Sequence, residues 1–218
     1  MLEEGITVLD SGCGPATWTF EIGESYPRSK IYGVDASCVF PEDIKPANVD
    51  FAIGNIAKRI PYEDSMFDYV HQRLLFLGLT DEDWTNPGGY IEMAEPDLSN
   101  MGKAGPALAT LINTFQKGME SRGMRINSGA ELEGRLREAG FENIVVKNLS
   151  IPVNHGGKID YRHAFMNVKP VLSKTNPEFE NQEVYEAHLN KCGEEARRSQ
   201  AHLGWYAVYA QKPVFSEQ

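Results

Sequence analysis

The sequence predicts an α/β fold built on a mostly parallel sheet, and two observations support this prediction. Short apolar runs of strand length recur through the first 95 residues, and helix-length or loop segments separate them, which is the pattern of βαβ units. From Gly105 onward, apolar residues recur at helical spacing before two last strand-like runs. The strands predicted in the first half are Ile6–Asp10, Ile31–Asp35, Phe51–Ile53, Phe67–His71 and Tyr90–Glu95.

Helices and two further strands complete the predicted order. The first helix, Ala16–Ser25, follows the first strand and ends before Pro27. The chain shows no repeat and no clear linker, so the sequence predicts one domain over residues 1–218. The remaining predicted elements are helices over Gly105–Met119, Glu131–Ala139 and Glu178–Gln200 and strands over Phe141–Val146 and Trp205–Ala210.

Composition and charge exclude several classes of protein. The 218 residues suffice for one ordinary domain, and the net charge of −10, from 21 basic and 31 acidic residues, disfavours binding to nucleic acid. The three cysteines, Cys13, Cys38 and Cys192, match neither zinc-ligand nor disulfide spacing, so we expect reduced thiols and no metal site. The acidic start and the lack of an apolar run of about 18 residues predict no signal peptide and no membrane span. We therefore expect a cytoplasmic protein, with the nucleus as the alternative.

A glycine-rich turn after the first strand is the most informative motif. The segment reads VLDSGCG, and its Gly12 and Gly14 permit a positive φ and a close approach of a ligand to the backbone. The helix that follows directs free N–H groups towards this turn. Asp35 ends the second strand, where a carboxylate accepts hydrogen bonds from both hydroxyls of a ribose. These features predict a nucleoside-binding crevice at the carboxyl ends of parallel strands.

The same turn favours one nucleoside cofactor over another. The dinucleotide fingerprint G-x-G-x-x-G needs glycine at positions 12, 14 and 17, and position 17 is Thr17. Asp10, next to the turn, suits a cationic ligand that carries an amine better than a diphosphate. We therefore expect S-adenosylmethionine (SAM), which has a sulfonium, an ammonium group and a ribose. A reductase that binds NAD is the weaker alternative, because no Tyr-x-x-x-Lys set is recognisable.

Five motifs in order resemble those of the Rossmann-like SAM-dependent methyltransferases. They are VLDSGCGPATW, YGVDAS, FAIGNI, PYEDSMFDYVHQR and NPGGYIEMAE. The chain is particularly similar to the fungal methyltransferases related to LaeA, a regulator of secondary metabolism, and the segments AGPAL, REAGF, SIPV, GGK and WYAVYAQKP extend this resemblance. The resemblance implies a three-layer α/β/α fold, a mostly parallel sheet with one antiparallel C-terminal strand, and SAM as cofactor.

The resemblance also implies roles for the residues of the turn and of the second strand. Gly12, Cys13 and Gly14 line the methionine end of the cofactor through their backbone, with Asp10 nearby. Asp35 holds the ribose hydroxyls. From the residues alone, both carboxylates have an alternative interpretation as loop-capping groups.

Further roles fall on the loops after the next strands. By resemblance, Ala36 lies beside the ribose, Asn55 bonds the adenine amino group, Ile56 packs beside the ring and His71 lies near the transferable methyl group. Glu95 faces the acceptor pocket. The alternatives are a simple turn at Asn55, a satisfied buried histidine at His71 and a structural carboxylate at Glu95.

The implied reaction is an in-line displacement at the sulfonium methyl, with a small molecule or a protein as acceptor, and we name no catalytic residue.

The sequence departs from the family's pattern at three places. Ala16 replaces a third glycine, and only 18 residues separate His71 from Tyr90. Met1 lies five residues before the first strand, where relatives carry further helices. The N-terminal cover and one internal helix are therefore expected to be shortened. A dimer or another partner would complete such a site. The alternative function is a catalytically impaired regulatory or interaction module.

Overall fold

A seven-stranded sheet forms the centre of the computed structural model, which describes residues 2–41, 43–56, 58–59, 61–63, 66–75, 89–98, 101–124, 126, 128–153 and 161–213. The strands lie in the order β3-β2-β1-β4-β5-β7-β6. Their bounds are β1 Thr7–Ser11, β2 Lys30–Asp35, β3 Val49–Ile53, β4 Tyr69–Arg73, β5 Tyr90–Asp97, β6 Glu142–Pro152 and β7 His202–Gln211.

The direction of the strands confirms the predicted fold class. Strands β1 to β5 pair in parallel, and α1 lies between β1 and β2 in the chain, as in a βαβ unit. At the other end of the sheet, the Lys212 N–H donates to the Gly89 carbonyl at 2.9 Å. This bond joins the end of β7 to the start of β5, so β7 runs antiparallel to β5, as predicted for the C-terminal strand.

Two helices cover opposite faces of this sheet and give the three-layer arrangement. Successive side chains of β1 point to opposite faces of the sheet. Val8 packs with apolar residues of α1 (Thr17–Ser25), and Leu9 packs with Leu132 and Leu136 of α3 (Ser128–Glu138). Burial of these side chains from water is the main favourable term that holds each layer.

The chain divides into two compact units. The first consists of Met1–Ala94, Glu131–Lys147 and Ala207–Gln218, and the second of Glu95–Ala130 and Asn148–Tyr206. The second unit is mainly helical, and its core includes Leu111, Phe115, Leu172, Phe179 and Tyr185. Its helices are α2 Pro106–Glu120, α4 Tyr161–Asn167, α5 Lys169–Thr175 and α6 Gln182–Ser199. One domain over residues 1–218 stays a prediction, because the compactness of two units does not decide whether they fold independently.

Most predicted elements are confirmed within a few residues of their bounds, and the region after β6 contains the main difference. The sequence pattern predicts no element between Val146 and Glu178, where the structure has the end of β6 and helices α4 and α5. The helix predicted over Glu178–Gln200 begins instead as a separate 3-10 turn, and α6 starts after Asn181. The Asn181 side chain accepts hydrogen bonds from the Glu183 and Val184 N–H groups, which sets this start.

Among the described helices, none combines the length and the apolar character that a bilayer crossing requires.

A carboxylate of α6 caps α2, and this contact yields a stability prediction. Oε2 of Glu195 accepts hydrogen bonds from the Ala107 and Leu108 N–H groups at 2.7 and 3.1 Å. Glu195→Ala should lower the free energy of unfolding by about 1–2 kcal/mol, because free N–H groups at a helix start lose a charged acceptor. Urea denaturation followed by circular dichroism measures the change. Glu194→Ala, which removes an exposed carboxylate near Arg198, is the matched control and should cost under about 0.5 kcal/mol; equal losses in both variants would contradict the prediction.

Candidate functional site

The structure brings most of the predicted site residues to one edge of the sheet. Asp10 lies in β1 and the Gly12–Gly14 turn follows it, while Asp35 ends β2 and Asn55 follows β3. Because these strands are parallel, their carboxyl ends meet at the same edge. The structure therefore places Asp10, the glycine turn, Asp35 and Asn55 at one end of the parallel strands.

The glycine turn is bonded to the end of β2. The N–H groups of Gly12 and Cys13 both donate to the Val34 carbonyl, at 2.8 and 3.0 Å. The Gly14 N–H donates to Oδ2 of Asp35 at 3.0 Å. Gly12 and Gly14 have φ values of 72° and 52°, which explains the need for glycine in this turn.

Asp35 is held in a fixed orientation. Besides Oδ2, its Oδ1 accepts a hydrogen bond from the Ser37 N–H at 2.9 Å, and the side chain remains only partly buried. A carboxylate has about four acceptor positions, so two remain for a ligand when two backbone N–H groups are bound. Asp35 is therefore pre-oriented to accept hydrogen bonds from a pair of hydroxyls.

Asp10 is a buried carboxylate with one hydrogen-bond donor from α1. The Thr19 hydroxyl donates to its Oδ2 at 2.6 Å, and the residue is 4% exposed. Burial raises the pKa of Asp10 to about 6, although the Thr19 hydrogen bond and the Arg73 charge act in the opposite direction. A cation bound near the turn would favour the ionised form of this carboxylate.

His71 lies next to Asp10 on the adjacent strand. The register pairs Asp10 with His71, and His71 with Glu92 of β5, so the three residues share the sheet face that α1 covers. The imidazole stacks on the Trp18 indole with ring centroids 3.8 Å apart and 8° between the planes. Neither ring nitrogen has a hydrogen-bond partner among the described atoms, although the residue is 4% exposed.

Burial also decides the charge of His71. It lowers the pKa of the imidazole to about 3, with a further contribution from the Arg73 charge. The ring is therefore neutral at physiological pH. Among the described residues neither ring nitrogen has a hydrogen-bond partner, so the structure does not support the alternative of a satisfied buried histidine.

The sequence pattern does not predict three residues that lie near His71. Trp18 stacks on its ring, and the Tyr69 hydroxyl donates a hydrogen bond to Oε2 of Glu92. Burial and this bond raise the pKa of Tyr69 well above its usual range. Alternation along β4 and β5 would have placed Tyr69, His71 and Glu92 on one face, but only if the register between the strands had been known.

Cys13 fills space in the turn and is not a reactive thiol. Its side chain is buried, and burial together with the charges of Asp10 and Asp35 raises its pKa to about 12. The Cys13 sulfur also limits the neighbouring strand: a Cβ on Gly33 would lie 3.0 Å from it and 2.6 Å from two Phe51 ring carbons. Of the three free cysteines, Cys192 is also buried and Cys38 is exposed.

The remaining predicted residues have mixed positions. Ala36 and Asn55 are exposed, and the Asn55 carbonyl accepts hydrogen bonds from the N–H groups of Lys58 and Arg59, so Asn55 does form a turn. Ile56 packs against the apolar cluster that contains Leu9, on the face opposite to α1. Glu95 is fully buried. Their roles towards a ligand stay predictions.

Comparison with known proteins identifies the family. The methyltransferase domain family matches residues 2–126, which is more than half of the chain. The chain belongs to this family. The match begins before β1 and includes the glycine turn, Asp35 and His71. The resemblance stated from the five sequence motifs is thereby confirmed.

The curated relatives include fungal methyltransferases. The chain is 28% identical over 169 residues to the methyltransferase pytC of Aspergillus terreus, an alignment that covers 68% of this chain and 50% of pytC. It is 30% identical over 98 residues to the secondary metabolism regulator laeA of Coprinopsis cinerea, covering 41% of this chain and 24% of that protein. The chain thus spans about half the length of the curated relative pytC.

A solved structure supports the fold. The phosphoethanolamine N-methyltransferase 2 of Haemonchus contortus, in complex with phosphomonomethylethanolamine and S-adenosylhomocysteine, matches with a TM-score of 0.58 at 17% identity. The match covers 96% of this chain and 49% of that chain. At this identity the likeness shows the Rossmann-like fold of these methyltransferases.

Ala16, which replaces a glycine of the family's pattern, has a strained backbone conformation in the structure. Ala16 directly precedes α1 with φ 64° and ψ 20°, in the left-handed region, and its side chain is fully buried. Glycine at this position would remove about 1–2 kcal/mol of backbone strain. It would also lose about 0.8 kcal/mol of methyl burial and about 0.4–1 kcal/mol through the entropy of the unfolded chain.

We expect Ala16→Gly to change the free energy of unfolding by less than about 1 kcal/mol, since these contributions nearly cancel. The matched control is Ala210→Gly, at an equally buried strand position in β7. There no strain is relieved, so the loss should be about 1.5 kcal/mol. Urea denaturation of both variants measures the difference, and an equal loss in both would show that residue 16 carries no strain.

The two buried titrating groups predict opposite pH dependences. Asp10 has a folded-state pKa above its usual 3.8, so its stabilisation is complete below pH 4 and is lost as the pH rises through about 6. His71 has a folded-state pKa below its usual 6.5, so its stabilisation is present above that pH and is lost as the pH falls towards 3. Asp10→Asn should therefore make stability rise more steeply from pH 4 to 7 than in the wild type, by about 3 kcal/mol.

Thermal or urea unfolding at several pH values measures this difference. Asp50→Asn, which alters an exposed carboxylate paired with Lys45, is the control and should follow the wild-type profile. Parallel profiles for Asp10→Asn and the wild type would show that Asp10 does not bind a proton in this range.

Proposed function

We propose that this chain binds SAM and transfers its methyl group to a small-molecule acceptor. The observation that carries the proposal is the Asp35 carboxylate, which the Gly14 and Ser37 N–H groups orient beside the glycine turn at the carboxyl ends of β1 and β2. This is where α/β sheets of this kind bind nucleosides. Membership in the methyltransferase domain family supports the same cofactor.

The charges around the turn support SAM over a nucleotide diphosphate. Asp10 and Asp35 are both close enough to the turn for each to raise the pKa of Cys13. Their summed field attracts a sulfonium and an ammonium group and repels a diphosphate. His71 is neutral at physiological pH and adds no positive charge that would repel the sulfonium.

In the proposed mechanism, the chain acts mainly by holding the two reactants in line. When bound, SAM supplies an electrophilic methyl group on a sulfonium. Asp35 would hold the ribose hydroxyls, and Asp10 would favour the positively charged methionine end. Positioning of this kind can contribute up to about 7–11 kcal/mol to lowering a barrier. The nitrogens of His71, which have no partner among the described residues, offer one hydrogen-bond donor and one acceptor to a ligand group.

Two observations support a small-molecule acceptor. The net charge of −10 disfavours nucleic acid. The Haemonchus contortus enzyme of similar fold is solved with phosphomonomethylethanolamine, a small amine.

Isothermal titration of the chain with SAM and with S-adenosylhomocysteine tests the cofactor site. Wild type should bind in the micromolar range, and Asp35→Asn should bind about 10- to 100-fold more weakly, because it loses charge-assisted hydrogen bonds at nearly constant side-chain volume. Asp50→Asn is the matched control and should bind like wild type. Circular dichroism of each variant checks its fold.

Equal affinity in Asp35→Asn would remove the ribose role of this carboxylate. A folded wild-type chain that binds neither compound would overturn the proposal. That result is the one expected of the regulatory or interaction module considered above.

A further inference from the structure

The backbone takes an unusual course where it leaves β4. Leu74 follows the last residue of this strand and has φ 58°, in the left-handed region that leucine rarely adopts. Its N–H donates to the Ala94 carbonyl on β5 at 3.2 Å. The Leu74 side chain is 47% exposed, so burial of its own side chain does not account for this conformation.

The reversal at Leu74 places the next side chain on the glycine turn. A Cβ added to Gly12 would lie 2.4 Å from Cδ2 of Leu75, 2.9 Å from Cδ1 and 3.0 Å from Cγ. The isobutyl group of Leu75 therefore lies over the Cα of Gly12 at van der Waals distance, and a side chain at position 12 would have to displace it.

The rest of the turn is closed as well. The Gly12, Cys13 and Gly14 N–H groups all have acceptors at the end of β2, in the Val34 carbonyl and the Asp35 carboxylate. The N–H groups that a glycine turn offers to a ligand are consequently already bonded to the end of β2. At Gly12, Leu75 also covers the backbone that glycine would leave open to a ligand.

From these contacts we propose that Leu75 occupies the place of the methionine end of SAM, and that it controls cofactor affinity because it must leave Gly12 before SAM binds. The inference rests on the proposed function. The observed association constant for SAM then equals that of the open turn multiplied by the fraction of molecules in which Leu75 has left Gly12. The left-handed backbone at Leu74 acts against the covered state, because leaving it returns Leu74 to an ordinary conformation.

Two substitutions shift this equilibrium in opposite directions. Leu75→Ala removes most of the apolar contact that holds the covered state, so SAM should bind about tenfold more tightly. Leu74→Asn keeps the covered state and relieves its strain, since asparagine tolerates the left-handed region, so SAM should bind about three- to fivefold more weakly. Leu149→Asn, at an exposed leucine of β6, is the matched control and should leave the affinity unchanged.

Isothermal titration with SAM and S-adenosylhomocysteine measures all four proteins, and circular dichroism checks their folds. Tighter binding by Leu75→Ala together with weaker binding by Leu74→Asn supports the inference, and so does tight binding by Leu75→Ala when the wild type binds only weakly. Leu74→Asn tests it independently if Leu75→Ala does not fold.

The other outcomes separate this inference from the proposed function. Binding by the wild type with unchanged affinity in both leucine variants, or weaker binding by Leu75→Ala, overturns the role of Leu75 and leaves the cofactor site standing. Absence of binding by both the folded wild type and the folded Leu75→Ala overturns the proposed function, and the role of Leu75 with it.

Discussion

The hydrogen bonds between the turn after β1 and the end of β2 determine the geometry of the whole site. One carbonyl, that of Val34, accepts from two consecutive N–H groups, and the adjacent Asp35 carboxylate accepts from the third. These bonds fix the position from which α1 starts, and α1 in turn brings Thr19 onto Asp10 and Trp18 onto His71. A shift at the end of β2 would therefore move the glycine turn and the start of α1 with it.

The polar residues under α1 are stabilised far less well than the apolar residues around them. Among the described residues, one side chain donates a hydrogen bond to Asp10, and His71 has a flat aromatic neighbour but no hydrogen-bond partner. Burying polar groups with so few partners costs free energy, which well-packed apolar side chains at these positions would not. Such a cost is typical of sites whose remaining partners come from a ligand.

The sequence predicts the sheet, the glycine turn and the carboxylates because each depends on local signals. Apolar runs of strand length, glycines after β1 and Asp35 at the end of β2 are all visible within a few residues. Helices α4 and α5 were missed because they are seven residues each, which is too short for helical periodicity to emerge. Trp18 and Glu92 were missed since their relation to His71 depends on strand register and helix packing, which are not local. Ala16 was recognised as a departure, but only the structure shows that its φ is positive.

The contrast among the three thiols has a practical consequence. Cys13 and Cys192 are buried, and burial raises the pKa of each to about 12, whereas Cys38 is exposed. A maleimide dye at neutral pH would consequently attach at Cys38 without any engineering of the chain. Since Cys38 lies three residues after Asp35, the attached fluorophore would be within about 11 Å of this residue along the backbone.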